Sequence, residues 1–365
     1  MTIPYAIRGT GAYLPEQRIT STDISTGLGL DPGWIEDRTG IRARHRAAPD
    51  QAASDLAARA ARRALTDAGI DPADLDLIVL GTSTPDELGP ATACRVQALL
   101  GAHRAAAFDV AAACTGFVHA LQTATALLTT RPTTTEPRPA GPGGTEPPAS
   151  ETARNAPPGG PYALVIGVEV YSRFLNPRDR ATSALFGDGA AAAVLGPVPA
   201  PYGITTMGMG ADGTRADDVL IPAGGSRLPA TPETIAALDH TIHMDGAAVR
   251  SFIAEILPRL VCEATDAAGV KPADLALVVP HQPNPKLVAA LAPTAGLDPD
   301  QLAIAGHDVG NIGAASLPYA LHRALRDHRV RPGDQVLLAG FGAGLTWAHT
   351  LITWPPPDRP HPDTR

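Results

Sequence analysis

Three residues at the ends of apolar runs have the types needed to do chemistry together: Cys114, His281 and Asn311. Cys114 follows Phe108-Asp109-Val110-Ala111-Ala112-Ala113 and precedes Thr115, Gly116 and a helix-compatible segment from Phe117 to Leu128. Such a run delivers a thiol to the start of a buried helix, where the positive end of the dipole is expected to lower its pKa. The small neighbours Ala111, Ala112, Ala113 and Gly116 leave a carbonyl room to reach the sulfur. His281 stands in Pro280-His281-Gln282-Pro283-Asn284, where the prolines fix the backbone, directly after the apolar run 275–279. Asn311 opens Asn311-Ile312-Gly313-Ala314-Ala315-Ser316 after Val309-Gly310. A thiolate can take an acyl group from a thioester. A neutral imidazole N–H and an amide N–H can hold a developing enolate, which a carboxylate could not. The set suits decarboxylation of a malonyl thioester followed by carbon–carbon bond formation.

The elements that must position these side chains read as alternating strands and helices. Tyr5 to Tyr13 reads as a first strand, and Thr22-Asp23 as the start of a short helix. Residues 51–68 carry apolar positions at helical spacing and stop at Gly69. Leu75 to Gly81 is a continuous apolar strand of the kind buried on both faces. A helix over 91–100 and a strand over 105–110 then lead to Cys114. Tyr162 to Gly167 reads as a strand, and Ser183 to Gly196 as a Gly-rich strand pair turning at Phe186-Gly187-Asp188-Gly189-Ala190. The second half repeats the first. Residues 68–79 and 268–279 match at eight of twelve positions, and Asp109-Val110 matches Asp308-Val309. The loops carrying Cys114 and Asn311 are therefore equivalent, in a duplicated α/β architecture with its active site where the strand ends of the halves meet. The expected units are an N-terminal half over 1–196, a C-terminal half over 197–354 and a flexible tail over 355–365. Between 129 and 160, Thr, Pro and Gly dominate and no apolar period survives. This stretch reads as a solvated, disordered insertion.

Bulk properties narrow the class. A chain of 365 residues with 44% hydrophobic and 18% charged residues can bury a large core. No apolar run is long enough for a membrane span, and no signal-peptide pattern follows Met1. Three widely spaced cysteines, Cys94, Cys114 and Cys262, suggest neither a disulfide framework nor a zinc site, and point to a reducing cytoplasm. A formal charge of −8 argues against general nucleic-acid binding.

The chain resembles the type III β-ketoacyl-ACP synthases of the thiolase superfamily. The motifs that carry the resemblance are Trp34…Arg38-Thr39-Gly40-Ile41-Arg42, Asp109…Ala113-Cys114-Thr115-Gly116-Phe117, Phe186-Gly187-Asp188-Gly189-Ala190, Pro280-His281-Gln282-Pro283-Asn284, Gly310-Asn311…Ala314-Ala315-Ser316 and Gly340-Phe341-Gly342-Ala343-Gly344-Leu345-Thr346-Trp347. The resemblance implies a five-layered αβαβα fold and a homodimer. It implies Cys114 as acyl nucleophile, His281 and Asn311 as the decarboxylation pair, and the backbone amides of Cys114 and Ala343 as the oxyanion hole. Trp34 and Arg180 would sandwich the adenine of coenzyme A, with Arg38 near its phosphates. Asn284 would line the pantetheine tunnel, Phe341 would face substrate, and Lys286 matches a basic position used for the acidic carrier protein. No cofactor is implied: acyl-CoA or acyl-ACP and malonyl-ACP are substrates. Gly89, before Pro90, stands where housekeeping members place a bulky gate, so a deeper acyl pocket and primers longer than acetyl are expected. That difference and the 129–160 insertion favour specialised metabolism over fatty-acid initiation.

A second enzyme reading keeps the Cys114 acyl-enzyme but passes the acyl group to an amine, alcohol or carrier thiol without decarboxylation. Asn311 weighs against it, since such an enzyme needs no enolate stabiliser there. A partner subunit with a decayed site is disfavoured because all three residues are present. The chalcone-synthase-like branch shares the three, but residues 340–347 resemble the type III ketosynthases better.

Overall fold

The computed structural model describes residues 3–130 and 161–357. The first strand, β1 (Tyr5–Tyr13), is followed by the hairpin partners β2 (Gln17–Thr20) and β3 (Ala43–Arg46), which enclose α1 (Ser21–Gly27) and α2 (Trp34–Thr39). Then come α3 (Ala53–Ala68), β4 (Leu75–Gly81), α4 (Thr92–Leu100), β5 (Ala106–Val110), α5 (Gly116–Thr130) and β6 (Tyr162–Val170). After α6 (Arg180–Ser183) follow β7 (Asp188–Pro197), β8 (Gly203–Ala211), β9 (Val219–Leu220), α7 (Pro232–Ala236) and β10 (His243–Met244). The chain closes with α8 (Gly246–Ala268), β11 (Leu277–Pro280), α9 (Pro285–Ala290), α10 (Ser316–Arg326), β12 (Gln335–Gly342) and β13 (Thr346–Thr353).

The two large sheets have the orders β1-β7-β6-β4-β5 and β11-β12-β13-β8. The period-2 alternation of their strands supplies a separate apolar face to each neighbouring layer. Leu77 and Val79 of β4 face inward, with Leu277, Val279 and Leu338 of the other sheet, onto Phe117 and Leu121 of α5 and Leu317 and Leu321 of α10. Ile78 and Leu80 face outward onto Leu56, Ala60 and Ala64 of α3. On the far side, α8 lays Ile253, Ile256 and Leu260 on Val278, Leu337 and Leu351. The result is the expected five-layered αβαβα arrangement. Each fully buried Leu, Ile or Phe in it stabilises the fold by about 1.5–3 kcal/mol.

The sequence repeat is a structural repeat. Both α3 and α8 end at a left-handed glycine (Gly69, φ 66°; Gly269, φ 69°), and each passes through a Pro-Ala-Asp turn into its strand. The halves diverge further on. Asp109 lies in β5, where its carboxylate accepts the N–H groups of Thr92 and Ala93. Asp308 lies instead in a short turn and pairs with Arg42. Two expectations need correction. Ser183 to Gly196 holds one strand, β7, because Phe186 and Gly187 are drawn off to bond the Asn311 segment. The first helix starts at Ser21, since Thr20 already caps it by accepting from the Asp23 N–H. Of the expected insertion, Thr129 and Thr130 belong to α5, and 131–160 lie outside the described residues, as do 358–365 of the tail.

Candidate active site

Cys114, His281 and Asn311 reach one pocket of about 840 Å³. Ala343, Phe341, Trp34, Arg38, Arg180, Asn284 and Lys286 line it too. Gly89 does not: it has open space around it.

Cys114 sits in a one-turn helix, Ala113–Thr115, wedged between β5 and α5. Ala113 is held at φ +46°, a conformation that costs a non-glycine residue about 1–3 kcal/mol and persists only where packing enforces it. The end of β12 does part of that. A Cβ added at Gly342 would lie 2.9 Å from both the Cβ and the backbone N of Cys114, so this segment runs against the Cys114 amide. Thr346 links the two loops, bonding the Thr115 hydroxyl and donating to Ala343 O at 3.1 Å. We expect Gly342→Ala to displace the sulfur and slow its acylation by thioesters on the order of tenfold or more, while far-ultraviolet circular dichroism stays unchanged. Rates of Cys114 modification followed by intact-protein mass spectrometry check this.

The Cys114 pKa does not follow the sequence expectation. Burial, with the nearby Glu169 carboxyl, pushes the thiol up to about 12. That rise corresponds to about 4 kcal/mol, against at most about 2 kcal/mol from a helix dipole. Burial wins, and the resting sulfur is a thiol.

His281 follows β11, its N–H donating to Ala339 O at 2.9 Å. Its ring is 2% exposed and packs edge-on to Phe341, with centroids 5.5 Å apart. Burial lowers the imidazole to about 3, so it is neutral across the working range. The sign of the stability effect follows. Between pH 6.5 and about 3 the unfolded ring binds a proton that the folded ring refuses, so this contribution is present above 6.5 and lost as pH falls. The melting temperature of wild type should therefore fall more steeply from pH 6.5 to 4 than that of His281→Gln.

Asn311 is aimed by its own turn. Its Oδ1 accepts the Gly313 N–H at 2.9 Å, which leaves the Nδ2 donors for the pocket. Its backbone is held from both sides: its N–H donates to Leu185 O (2.8 Å), and its C=O accepts from the Gly187 N–H (3.0 Å). The Phe186-Gly187 motif thus serves as the seat of Asn311.

At the mouth, the guanidinium groups of Arg38 and Arg180 lie 4.6 and 5.8 Å from the centre of the Trp34 ring. Two side chains expected to meet substrate are also tied to α2. Lys286 Nζ donates to Asp37 O (2.7 Å), and Asn284 Nδ2 donates to Arg38 O (3.3 Å) while its Oδ1 caps α9. They brace the element that carries Trp34 and Arg38. Sequence reasoning missed Arg250, a further exposed cation on the lining, and Tyr171, a buried wall residue packed edge-on to Phe186. It also missed Glu169, whose signal was legible: one carboxylate in the otherwise apolar strand Tyr162–Val170.

The fold and the Cys-His-Asn pocket define a condensing enzyme of the thiolase superfamily. Family models described as 3-oxoacyl-(acyl-carrier-protein) synthase III and its C terminal match residues 158–213 and 265–354. The β-ketoacyl-(acyl-carrier-protein) synthase III of Caldanaerobacter subterraneus subsp. tengcongensis is 41% identical over 352 residues, covering 96% of this chain and 98% of that protein. Acetoacetyl CoA synthase NphT7 of Streptomyces sp. (strain CL190) is 41% identical over 354 residues, covering 96% and 99%. The crystal structure of the synthase III from Pseudomonas aeruginosa PAO1 superimposes with a TM-score of 0.81 at 35% identity, covering 98% of this chain and all of that one. The chain belongs to the β-ketoacyl-acyl-carrier-protein synthase III family.

Proposed function

We propose that this enzyme loads an acyl primer from a thioester onto Cys114 and condenses it with a malonyl thioester. The observation that carries the reading is one pocket holding a half-buried thiol, a neutral imidazole and a carboxamide whose oxygen is already engaged. Cys114 loses its proton and attacks the primer carbonyl. The tetrahedral oxyanion accepts from the N–H groups of Cys114 and Ala343, and the donor thiolate leaves with the proton. The malonyl thioester then enters and its C–CO₂ bond breaks. Carbon dioxide leaves, and the enolate oxygen accepts from Asn311 Nδ2 and His281 Nε2. We place the ring proton on Nε2 because Nδ1 is buried without a partner, where a bare lone pair costs less than an unsatisfied N–H. The enolate carbon attacks the acyl carbonyl, and Cys114 sulfur leaves as thiolate.

In the transferase sense the enzyme is an acyltransferase whose final acceptor is carbon. We further propose that primer and malonyl donor are its only small-molecule needs, without a bound cofactor, and that it works in the cytoplasm. Among the described residues no helix is long and apolar enough to cross a membrane. Arg38, Arg180, Arg250 and Lys286 at the mouth suit an acidic carrier protein or the phosphates of coenzyme A. The similarity to an acetoacetyl CoA synthase favours malonyl-CoA as a second acceptor beside malonyl-ACP. A homodimer fits β5, which ends its sheet, and Leu88, 89% exposed in the loop between β4 and α4. Gly89 would then bear on the acyl pocket across that dimer.

The test is intact-protein mass spectrometry of Cys114 with acetyl, butyryl and hexanoyl thioesters of CoA and of carrier protein, followed by malonyl-CoA or malonyl-ACP. The expected sequence is an acyl adduct, then its discharge together with CO₂ release. Discharge to an amine, alcohol or thiol without CO₂ would establish the transfer reading instead.

A further inference from the structure

Glu169 is a buried carboxyl that the reaction above does not use, and its surroundings are built around it. It is fully buried on β6, two residues along from Gly167 and on the same face of the strand. Oε1 accepts the N–H of Ser83 (3.1 Å), from the loop after β4, and that of Ala314 (3.4 Å), from the turn after Asn311. Oε2 accepts the Thr84 hydroxyl at 2.7 Å and shares the Ser83 N–H. One side chain thereby joins a loop of the N-terminal half to the Asn311 turn of the C-terminal half.

Beyond residue 311, whose backbone is held by Leu185 and Gly187, the turn is pinned largely through its N–H groups. The Ile312 N–H donates to Ser316 Oγ (3.0 Å), the Gly313 N–H to Asn311 Oδ1, and the Ala314 N–H to Glu169. Without Glu169 the buried Ala314 N–H has no acceptor, and a buried N–H seldom stays unpaired. It neighbours the N–H that aims Asn311. The turn is also pressed onto Glu169: Gly313 has φ +51°, and a Cβ there would lie 2.6 Å from Glu169 Cγ. Below it, a Cβ on Gly167 would lie 2.2 Å from Ala314 O. Strand β6 is therefore in contact with the turn at both Gly167 and Glu169.

We propose that Glu169 is a positioning residue that holds the Asn311 turn in register, and so serves the decarboxylation step and not the acylation of Cys114. The proposal rests on the condensing reading above. Burial pushes the carboxyl up to about 8, so at neutral pH it is largely un-ionised. A glutamine can then keep the Ser83 and Ala314 N–H groups on its amide oxygen, while its NH₂ donates to Thr84 Oγ1 with the direction of that bond reversed.

The experiment measures two half-reactions in Glu169→Ala, Glu169→Gln and Thr84→Val: Cys114 acylation by mass spectrometry, and CO₂ release from malonyl-CoA and malonyl-ACP. Glu169→Ala should lose decarboxylation on the order of tenfold to a hundredfold, as expected for a misplaced donor, with acylation no slower than wild type, since removing the carboxyl can only bring the Cys114 thiol down. Glu169→Gln should restore decarboxylation. Thr84→Val, which removes the hydroxyl anchoring Oε2, should lower decarboxylation alone by a smaller factor, and it carries the test should Glu169→Ala not fold. Equal losses in both half-reactions, or undiminished decarboxylation in Thr84→Val and any folded Glu169→Ala, would overturn the proposal. A wild type that releases no CO₂ from either malonyl thioester would refute the condensing reading itself, and with it the need for a positioned Asn311.

Discussion

The Cys114→Ala protein should form no acyl-enzyme with any thioester, and condensation should fall on the order of 10⁴–10⁶-fold, as when a catalytic nucleophile is removed. The other thiols do not compensate. Cys94 and Cys262 are exposed and do not line the pocket, so no oxyanion donors converge on them. Their alkylation should be unchanged, which makes them an internal control in the same mass spectrum. Because Cys114 rests as a thiol, its acylation in wild type should accelerate as pH rises through the neutral range into the alkaline one. A stable acyl adduct on Cys114→Ala would remove Cys114 from the mechanism, and a flat pH–rate profile would show that the α5 dipole outweighs burial.

How far this site could be read in the sequence depended on the scale of the interaction. Period and composition gave the strands, because β4 and β6 are buried on both faces and are apolar apart from Asp76 and Glu169. The internal repeat gave the two halves and placed Cys114 and Asn311 on matched loops. What stayed hidden is tertiary. Nothing local in Pro283-Asn284-Pro285-Lys286 says that the Asn284 amide and the Lys286 ammonium turn to backbone carbonyls of α2, about 250 residues away. The Gly-rich run around Gly187 reads as a hairpin because its true partner, the Asn311 segment, lies more than a hundred residues further along the chain. The thiol pKa was misjudged for a related reason: a dipole can be inferred from a helix start, whereas desolvation needs the complete pocket. Glu169 was readable as an anomaly, yet its purpose required knowing that the turn at 313–315 lies on β6.

Asn311→Ala should leave Cys114 acylation nearly unchanged and suppress CO₂ release by about 10²–10³-fold, the usual consequence of losing one donor to a developing oxyanion. The separation follows from where charge appears. On the proposed mechanism the oxyanion of acylation forms on the primer carbonyl beside the amides of Cys114 and Ala343, with Asn311 a bystander. In decarboxylation the charge moves to the malonyl thioester oxygen, and a His281 ring that is neutral can supply only one N–H, leaving the second to Asn311 Nδ2. Truncation also releases the Gly313 N–H that Oδ1 engaged, but the backbone of residue 311 stays bonded to Leu185 and Gly187, so the fold should hold. Asn311→Asp sharpens the test. Its carboxylate can still accept from Gly313 but offers no donor, and it sets a negative charge beside the forming enolate, so it should decarboxylate no better than the alanine variant. If acylation collapsed while CO₂ release survived, the two oxyanion sites would be assigned the wrong way round. Tolerance of both changes in overall turnover would instead mark an enzyme that transfers its acyl group without ever generating an enolate.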